Sequence, residues 1–407
     1  MKKILSILAI AALLAGCANG GKETPKEETA QGVTDTTVKV ANCATTSGAF
    51  APVGTPFLAG MRAYFQMVNE EGGVNGRKIE FVNKDDEFDP AKGKACLQEM
   101  VEDEKVFAIV GHFGTPVVAA TIEDLKEYGI PAVYFATGIG QLYNDNATGR
   151  DRNIFPVQPI YKTEGRIMVA RMVGNFENKK IGIIYTNDDA GKDILWGAQQ
   201  QAKELGIELV EQQVAVASTD VSAAVTALKD ANVDGVIAGA IQATFPTIVK
   251  ELAAQAVNKP VITTYVNVSG AMSQAVAAEI AGKFDVYGNG WVSFGADKAD
   301  AIAKYAEWVK KSSGSDEYAA NAYAMTGWIA GHFFTAALKD VNGTLTWENY
   351  MNALEAKPIE NPFGGTISYT NGSRLGTQEM NLSKIDTATQ GWVEVYPLQS
   401  MNSILGK

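Results

Sequence analysis

The sequence predicts an α/β protein of two doubly wound parallel-sheet lobes, joined by a multi-crossover hinge with a cleft between them. Three observations carry this reading. Short apolar runs alternate with amphipathic helical stretches from residue 38 to 135, and the same alternation starts afresh at residue 180. The strand-like runs are uniformly apolar, which suits parallel sheets covered on both faces. A chain of 407 residues with 46% hydrophobic content is long enough for two domains, each with its own core.

In order, residues 38–41 open the fold as a strand, and 45–55 form a loop of small residues around Phe50. Pro56 starts a helix whose Phe57, Met61, Tyr64, Phe65 and Val68 share one face, and the glycine turn 72–76 ends it. A strand at 79–82 precedes a helix opened by Asp89-Pro90, and a strand at 106–110 precedes a helix opened by Thr115-Pro116. A fourth strand, 130–135, runs into Ala136-Thr137-Gly138. In the second run, 180–185 is a strand and Asp188-Asp189 cap a helix to 205; 207–214 is a strand and Asp220 caps a helix over 221–230. Strands at 233–238 and 260–266 flank a helix over about 245–256. Beyond them lie an aromatic strand-like stretch at 284–294, helices at 298–311, 318–338 and 346–354, and closing strands at 364–369 and 392–396. These last segments do not found a third domain, so the chain is expected to recross between lobes. The first lobe is assigned 38–157 plus about 287–375, and the second 158–286 plus about 376–407.

Charge and cysteine content narrow the function classes. With 35 Lys and Arg against 46 Asp and Glu, a net charge of −11 and no basic block, nucleic acid is not an expected partner. At the start, Lys2 and Lys3 precede an apolar run over 4–14, too short to span a bilayer, which leads into Leu14-Ala15-Gly16-Cys17. This pattern reads as a signal peptide, 1–17, and resembles the lipobox of bacterial lipoproteins; the resemblance implies cleavage before Cys17 and a lipid anchor on its thiol. Residues 18–37 are polar and read as a tether. Cys43 and Cys96 are left as an even pair. They could bridge in an exported compartment, but nothing in the sequence places them side by side, and two buried small hydrophobes is the preferred reading.

In open parallel sheets, binding sites lie beyond the carboxyl ends of strands. That places 44–53, 111–115 and 136–138 on one side of the cleft, with 185–190, 239–244 and 265–269 on the other. The leading candidate is the turn after the strand ending at Val110. There Thr115 reads as N-cap and Pro116 as first helical position, and the free backbone N–H groups could grip an anion. Thr115 as a cap and nothing more is the alternative. The candidate ligand-binding residues are Phe50, Val53, Gly114, Thr115, Ala136, Thr137, Gly138, Asp189, Ala190, Gln242 and Asn267. An enzyme is not expected. His112 and His332 stand far apart, no metal spacing or nucleophile elbow accompanies them, and no phosphate loop is present, so neither metal nor cofactor is expected. His112 reads as structural, and Asp188-Asp189 as helix capping.

The stretch Asn69-Glu70-Glu71-Gly72-Gly73-Val74-Asn75-Gly76-Arg77-Lys78-Ile79-Glu80, with Asp85-Asp86, Asp89-Pro90, Ile109-Val110-Gly111-His112 and Gly129-Ile130-Pro131, resembles the leucine/isoleucine/valine-binding type of ABC-importer solute-binding protein. The resemblance implies two lobes with three crossovers that close on a small ligand and present it to a membrane permease. It implies that the ligand carboxylate is held by the loops at Gly114-Thr115 and Ala136-Thr137-Gly138. The chain departs from amino-acid binders in three places. No carboxylate stands in the loop 265–269, where such relatives hold the ammonium group; Ala190 replaces an aromatic residue, and Gly138 a hydroxyl residue. Gly114-Thr115-Pro116, Ala136-Thr137-Gly138 and Asn187-Asp188-Asp189 with Gly191-Lys192-Asp193 are similar to relatives that bind aromatic or other organic acids. The expectation is a monomeric, lipid-anchored binding protein facing the periplasm or cell exterior. Its ligand is expected to be a branched-chain or hydrophobic amino acid, ahead of aromatic or aliphatic acids and small amides. A ligand sensor docking to a membrane receptor is the alternative of another class.

Overall fold

The computed structural model describes residues 28–407; the leader, Cys17 and the first half of the tether lie outside the described residues. Two sheets organise the chain. The first lobe is built in order from β1 (Thr37–Cys43), α1 (Ala51–Glu70), β2 (Lys78–Lys84), α2 (Pro90–Gln98), β3 (Ala108–Phe113), α3 (Thr115–Tyr128), β4 (Ala132–Ala136) and β5 (Ile154–Phe155). Its five strands lie in the order β2-β1-β3-β4-β5, all parallel. Burial agrees with the apolar pattern, since every residue of β3 is buried.

The second lobe follows as α4 (Tyr161–Gly174), β6 (Lys180–Thr186), α5 (Asp189–Leu205), β7 (Glu208–Val214), α6 (Ser222–Asp230), β8 (Gly235–Gly239), α7 (Thr244–Ala254), β9 (Val261–Thr263), α8 (Gly270–Ile280) and β10 (Val286–Gly290). The chain then returns through α9 (Ala299–Ser313), α10 (Ala322–Asp340), α11 (Trp347–Ala356), β11 (Ile359–Glu360) and β12 (Thr366–Ile367), and ends as β13 (Glu379–Asp386), β14 (Gly391–Ser400) and α12 (Met401–Leu405). The second sheet runs β14-β13-β10-β9-β8-β6-β7. It is parallel except at one edge, where β13 pairs antiparallel with β10 and β14 with β13.

The path crosses between the lobes three times: between β5 and α4, between β10 and α9, and between β12 and β13. Residues 287–290 pair within the second sheet, so the return placed at about 287 from sequence falls after Gly290 in the structure. On the first lobe α10 packs along α1, with Tyr64 meeting Trp328 edge-on at a ring separation of 4.8 Å. Arg374 ties down the third crossover. Its fully buried guanidinium lies 4.1 Å from the Phe155 ring centroid, pairs with Glu355 and donates to the Arg152 carbonyl at 2.7 Å.

Local differences from the sequence reading have physical reasons. The first long helix starts at Ala51, and Pro56 sits inside it, in its second turn, where its missing N–H costs one helical bond. Gly114 occupies the N-cap position of α3, making Thr115 its first residue rather than its cap. Cys43 and Cys96 form a disulfide, which replaces the reading of two unlinked thiols: the end of β1 and the last turn of α2 pack together although 53 residues apart in sequence. Asp188 caps α5 as expected, its Oδ1 accepting from the Gly191 N–H at 2.9 Å. Among the described residues no helix is long and apolar enough to cross a membrane.

Candidate ligand-binding site

A cavity lies between the lobes, bordered by the starts of α1, α3 and α10, the first two crossovers, β13 and the ends of β8, β9 and β10. It holds about 940 Å³ of empty space counting its mouth. Aromatic rings wall this slot. On the first lobe Phe50 and Phe88 stack at 3.8 Å, and Phe57, Phe88 and Phe113 follow at ring separations of 5.6 to 6.3 Å. Trp291, Val292 and the exposed Phe294 come from the second crossover. Among the described residues no Asp, Glu, Lys, Arg or His borders the slot.

One end of the slot is rich in donors. Gly114 has φ +89°, and a Cβ there would come within 2.5 Å of the Phe88 ring, so the turn demands glycine. No side chain caps α3, and its first N–H groups are left without intrahelical partners. The Thr115 hydroxyl turns to that of Thr137 at 2.8 Å, and the Thr137 oxygen also accepts from the Ile139 N–H at 3.2 Å. The Tyr161 ring stacks with that of Tyr265 at a centroid separation of 5.8 Å, and both border the slot together with Thr115. Tyr265 donates to Gln158 Oε1 at 3.1 Å, and Gln158 Nε2 donates to the Tyr134 hydroxyl at 2.7 Å. Burial raises the pKa of Tyr161 and Tyr265 above the ordinary phenol value, which keeps both protonated. Gly138 lets these rings gather, because a Cβ there would sit 2.3 Å from the Pro159 carbonyl oxygen and 2.8 Å from the Tyr265 hydroxyl.

The second lobe presents polar groups that are already paired. Asn267 is fully buried; its amide donates to the Ala240 carbonyl and to Thr263 Oγ1, both at 2.8 Å, and its Oδ1 accepts from the Gln242 N–H at 2.9 Å. Gln242 Nε2 donates to the Tyr323 hydroxyl at 3.0 Å, which lies 3.2 Å from the Val266 carbonyl and 3.1 Å from Ser269 Oγ. Behind this wall the carboxyl of Glu164 accepts from the Thr264 hydroxyl at 2.7 Å and the Tyr265 N–H at 2.8 Å. Complete burial pushes its pKa up to about 8.

Of the residues expected from sequence, the structure brings Phe50, Val53, Gly114, Thr115, Ala136 and Gln242 to the slot. Thr137, Gly138 and Asn267 stand behind its wall, where they brace Thr115, Tyr265 and Gln242. Asp189 and Ala190 do not border it: Asp189 is exposed at the start of α5 and Ala190 is buried in that helix. The reason lies in strand order, since α5 follows β6 while the slot runs along β8, β9, β10 and β13. Sequence reasoning missed Phe88, Gln158, Tyr161, Trp291, Tyr323, Asn381 and Ser383. Most of them come from crossovers or from β13, whose sequence carries no period pointing to a site. His112 is buried away from the slot, with Nε2 2.8 Å from Thr121 Oγ1, and burial lowers its pKa to about 4. Among the described residues no cluster of His, Cys, Asp or Glu is disposed to hold a metal ion.

Comparison with known proteins places this geometry. A family model described as periplasmic binding protein matches residues 37–390. An "Amino acid binding protein" from Pseudomonas aeruginosa is 23% identical over 322 residues, covering 78% of this chain and 82% of its own. Two solved structures share the fold. A branched-chain amino acid ABC transporter protein from Thermus thermophilus with bound valine gives a TM-score of 0.78 at 15% identity, covering 91% of this chain and 99% of its own. A fatty acid ABC transporter substrate-binding protein from Thermomonospora curvata gives 0.75 at 23% identity, covering 93% and 96%. With its two lobes, three crossovers and a slot between them, the chain belongs to the periplasmic binding protein family.

Proposed function

We propose that this protein is a lipid-anchored solute-binding component of an ABC importer, which captures a small carboxylate with an apolar body by hinge closure and hands it to a membrane permease. The observation that carries the reading is the uncapped start of α3 beside Thr115 and Tyr161, at one end of a slot otherwise walled by aromatic rings. A carboxylate there would accept several hydrogen bonds worth ~1.5–3 kcal/mol each, with ~0.3–2 kcal/mol from the helix dipole. Burial of an apolar body would add ~1.5–3 kcal/mol. Micromolar affinity, about −8 kcal/mol, is within that range after the costs of closure.

The two solved structures support the same chemistry, one with valine bound and the other the substrate-binding protein of a fatty acid transporter, since valine and a fatty acid share a carboxylate and an apolar body. Branched-chain or hydrophobic amino acids and ammonium-free acids are the two candidate classes. No covalent chemistry is assigned to the slot. The three crossovers serve as the hinge, and Cys17 carries the lipid.

A thermal-shift screen of the full chain against hydrophobic amino acids, aromatic acids, short aliphatic acids and amides tests the ligand class. A ligand at 100 times its dissociation constant should stabilise by ~2.7 kcal/mol. Stabilisation by amides alone would sink the carboxylate reading. Cys17→Ser should release the protein from membranes, and retention of that variant would sink the anchor.

A further inference from the structure

The second lobe meets the slot along a long front. Gln242 stands at the end of β8, Val268 follows β9, Trp291 follows β10, and Asn381 lies on β13. These four strands are neighbours in that order. The donor-rich end meets the front at Tyr265, just past β9, whose ring stacks with that of Tyr161 at 5.8 Å. Beyond that point the slot continues past β10 to β13, two strand spacings or about 10 Å further. The continuation is walled by Val268, Trp291 and Val292, with Asn381 and Ser383 of β13 at its far end, so most of its length suits an apolar body.

Charge points the same way. A buried ammonium group needs an anion or several free acceptors, or its lost hydration is not recovered. Among the described residues the slot offers no carboxylate, and a single buried side-chain oxygen in its lining, Asn381 Oδ1 at the β13 end, lacks a partner, which is too little to replace an ammonium group's hydration. The Glu164 carboxyl lies behind the wall, with both oxygens engaged by Thr264, Tyr265 and Asn289. In the loop where amino-acid binders of this resemblance hold an acid, the Asn267 amide is consumed by Ala240, Thr263 and Gln242. The Val266 carbonyl already faces the Tyr323 hydroxyl.

We propose that the ligand is an elongated carboxylate without an ammonium group, its carboxyl at the start of α3 and its ring or chain running past Trp291 and Val292 toward β13. This deepens the proposed function and rests on it.

Titration calorimetry on the detergent-solubilised full chain tests the proposal with matched probes. Leucine is compared with 4-methylpentanoate and phenylalanine with 3-phenylpropanoate, each pair differing only in the ammonium group; 5-phenylpentanoate then extends the body. Each ammonium-free acid is expected to bind at least about tenfold more tightly than its amino-acid partner. The longer acid should bind at least as tightly as 3-phenylpropanoate. Val292→Trp, at a half-buried position, should weaken 5-phenylpentanoate about tenfold while leaving 4-methylpentanoate within about threefold, at unchanged melting temperature. Leucine or phenylalanine binding as tightly as its partner acid would overturn the proposal and leave the carboxylate reading standing. Failure of all five probes would overturn both. Equal loss of the long and short acids in Val292→Trp would overturn the placement along β10 and β13.

Discussion

The two lobes face one slot with opposite surfaces. The first lobe offers groups that still seek partners, the backbone N–H groups at the uncapped start of α3. The second lobe offers groups whose hydrogen bonds are already made, in the chain from Ala240 through Asn267 to Gln242, which donates across to Tyr323 on α10 of the first lobe. Their frames differ as well. The first sheet is wholly parallel and stapled by a disulfide, whereas the second is hemmed by two antiparallel strands from the C-terminal segment. A surface with unmet donors can hold an anion before the lobes close, while a satisfied surface loses nothing by closing over it. In the proposed mechanism the first lobe therefore binds and the second excludes water.

The largest test of this asymmetry is the disulfide. Opening the Cys43–Cys96 link frees a loop of 53 residues, which the chain-entropy relation values at about 4 kcal/mol. The loss should fall on the first lobe. Calorimetry of Cys43→Ala/Cys96→Ala should show one transition moving down and another staying in place. A single transition shifted as a whole would mean that the lobes unfold as one unit.

Next in size are two opposed pH dependences, one in each lobe. His112 in the first lobe has its pKa lowered from 6.5 to about 4, so its neutral form is favoured by folding. Its contribution is complete above pH 6.5 and fades as pH falls toward 4, by about 3 kcal/mol in all. Glu164 in the second lobe has its pKa raised from 4.5 to about 8, so its protonated form is favoured. Its contribution is complete below pH 4.5 and fades as pH rises toward 8, by about 3 kcal/mol by neutrality. Glu164→Gln should remove the alkaline loss and leave the acid one, as read from urea midpoints across pH. An unaltered alkaline limb would show that the Glu164 carboxyl is not its source.

What the sequence made legible follows from the reach of each signal. The turn at Gly114-Thr115 was visible because an apolar strand followed by Thr-Pro is a local pattern. Its detail was not, since the left-handed φ of Gly114 shifts the N-cap by one residue and frees the Thr115 hydroxyl for Thr137. The even cysteine pair was visible, but its closure depends on α2 lying against the end of β1. Helix α4 was not foreseen: its first turn mixes Tyr161, Lys162 and Glu164 and carries no clear apolar period, yet it supplies both Tyr161 and Glu164. Asp189 and Ala190 were placed at a strand end correctly, but beside the wrong strands, because strand order is a long-range property.

Within the first lobe Thr115 divides binding from folding. Gly114 holds the cap position, so Thr115→Ala should cost little stability but lower affinity by about 1–2 kcal/mol if its hydroxyl reaches the ligand. Thr115→Ser should restore the affinity. Calorimetric affinity and melting temperature, measured on the same samples, separate the two roles. Unchanged affinity in the alanine variant would leave the α3 backbone as the anion's holder.

The smallest effect is expected where the two lobes touch directly. The Gly140 N–H, from the first lobe, donates to Asp193 Oδ2 on α5 at 2.7 Å, and Lys162 Nζ stands 3.7 Å from Oδ1. Burial raises the pKa of this carboxyl, partly offset by the Gly140 hydrogen bond and by Lys162, so the contact is a charge-assisted bond with part of its strength already lost to desolvation. Asp193→Asn keeps an acceptor and removes the charge. It should speed ligand release severalfold, an effect under about 1 kcal/mol, while leaving the association rate almost unchanged, because the first lobe captures the ligand before this bond forms. Stopped-flow fluorescence can follow both rates. A slower association in the variant would break the division of labour, for it would mean that the second lobe takes part in capture as well as in closure.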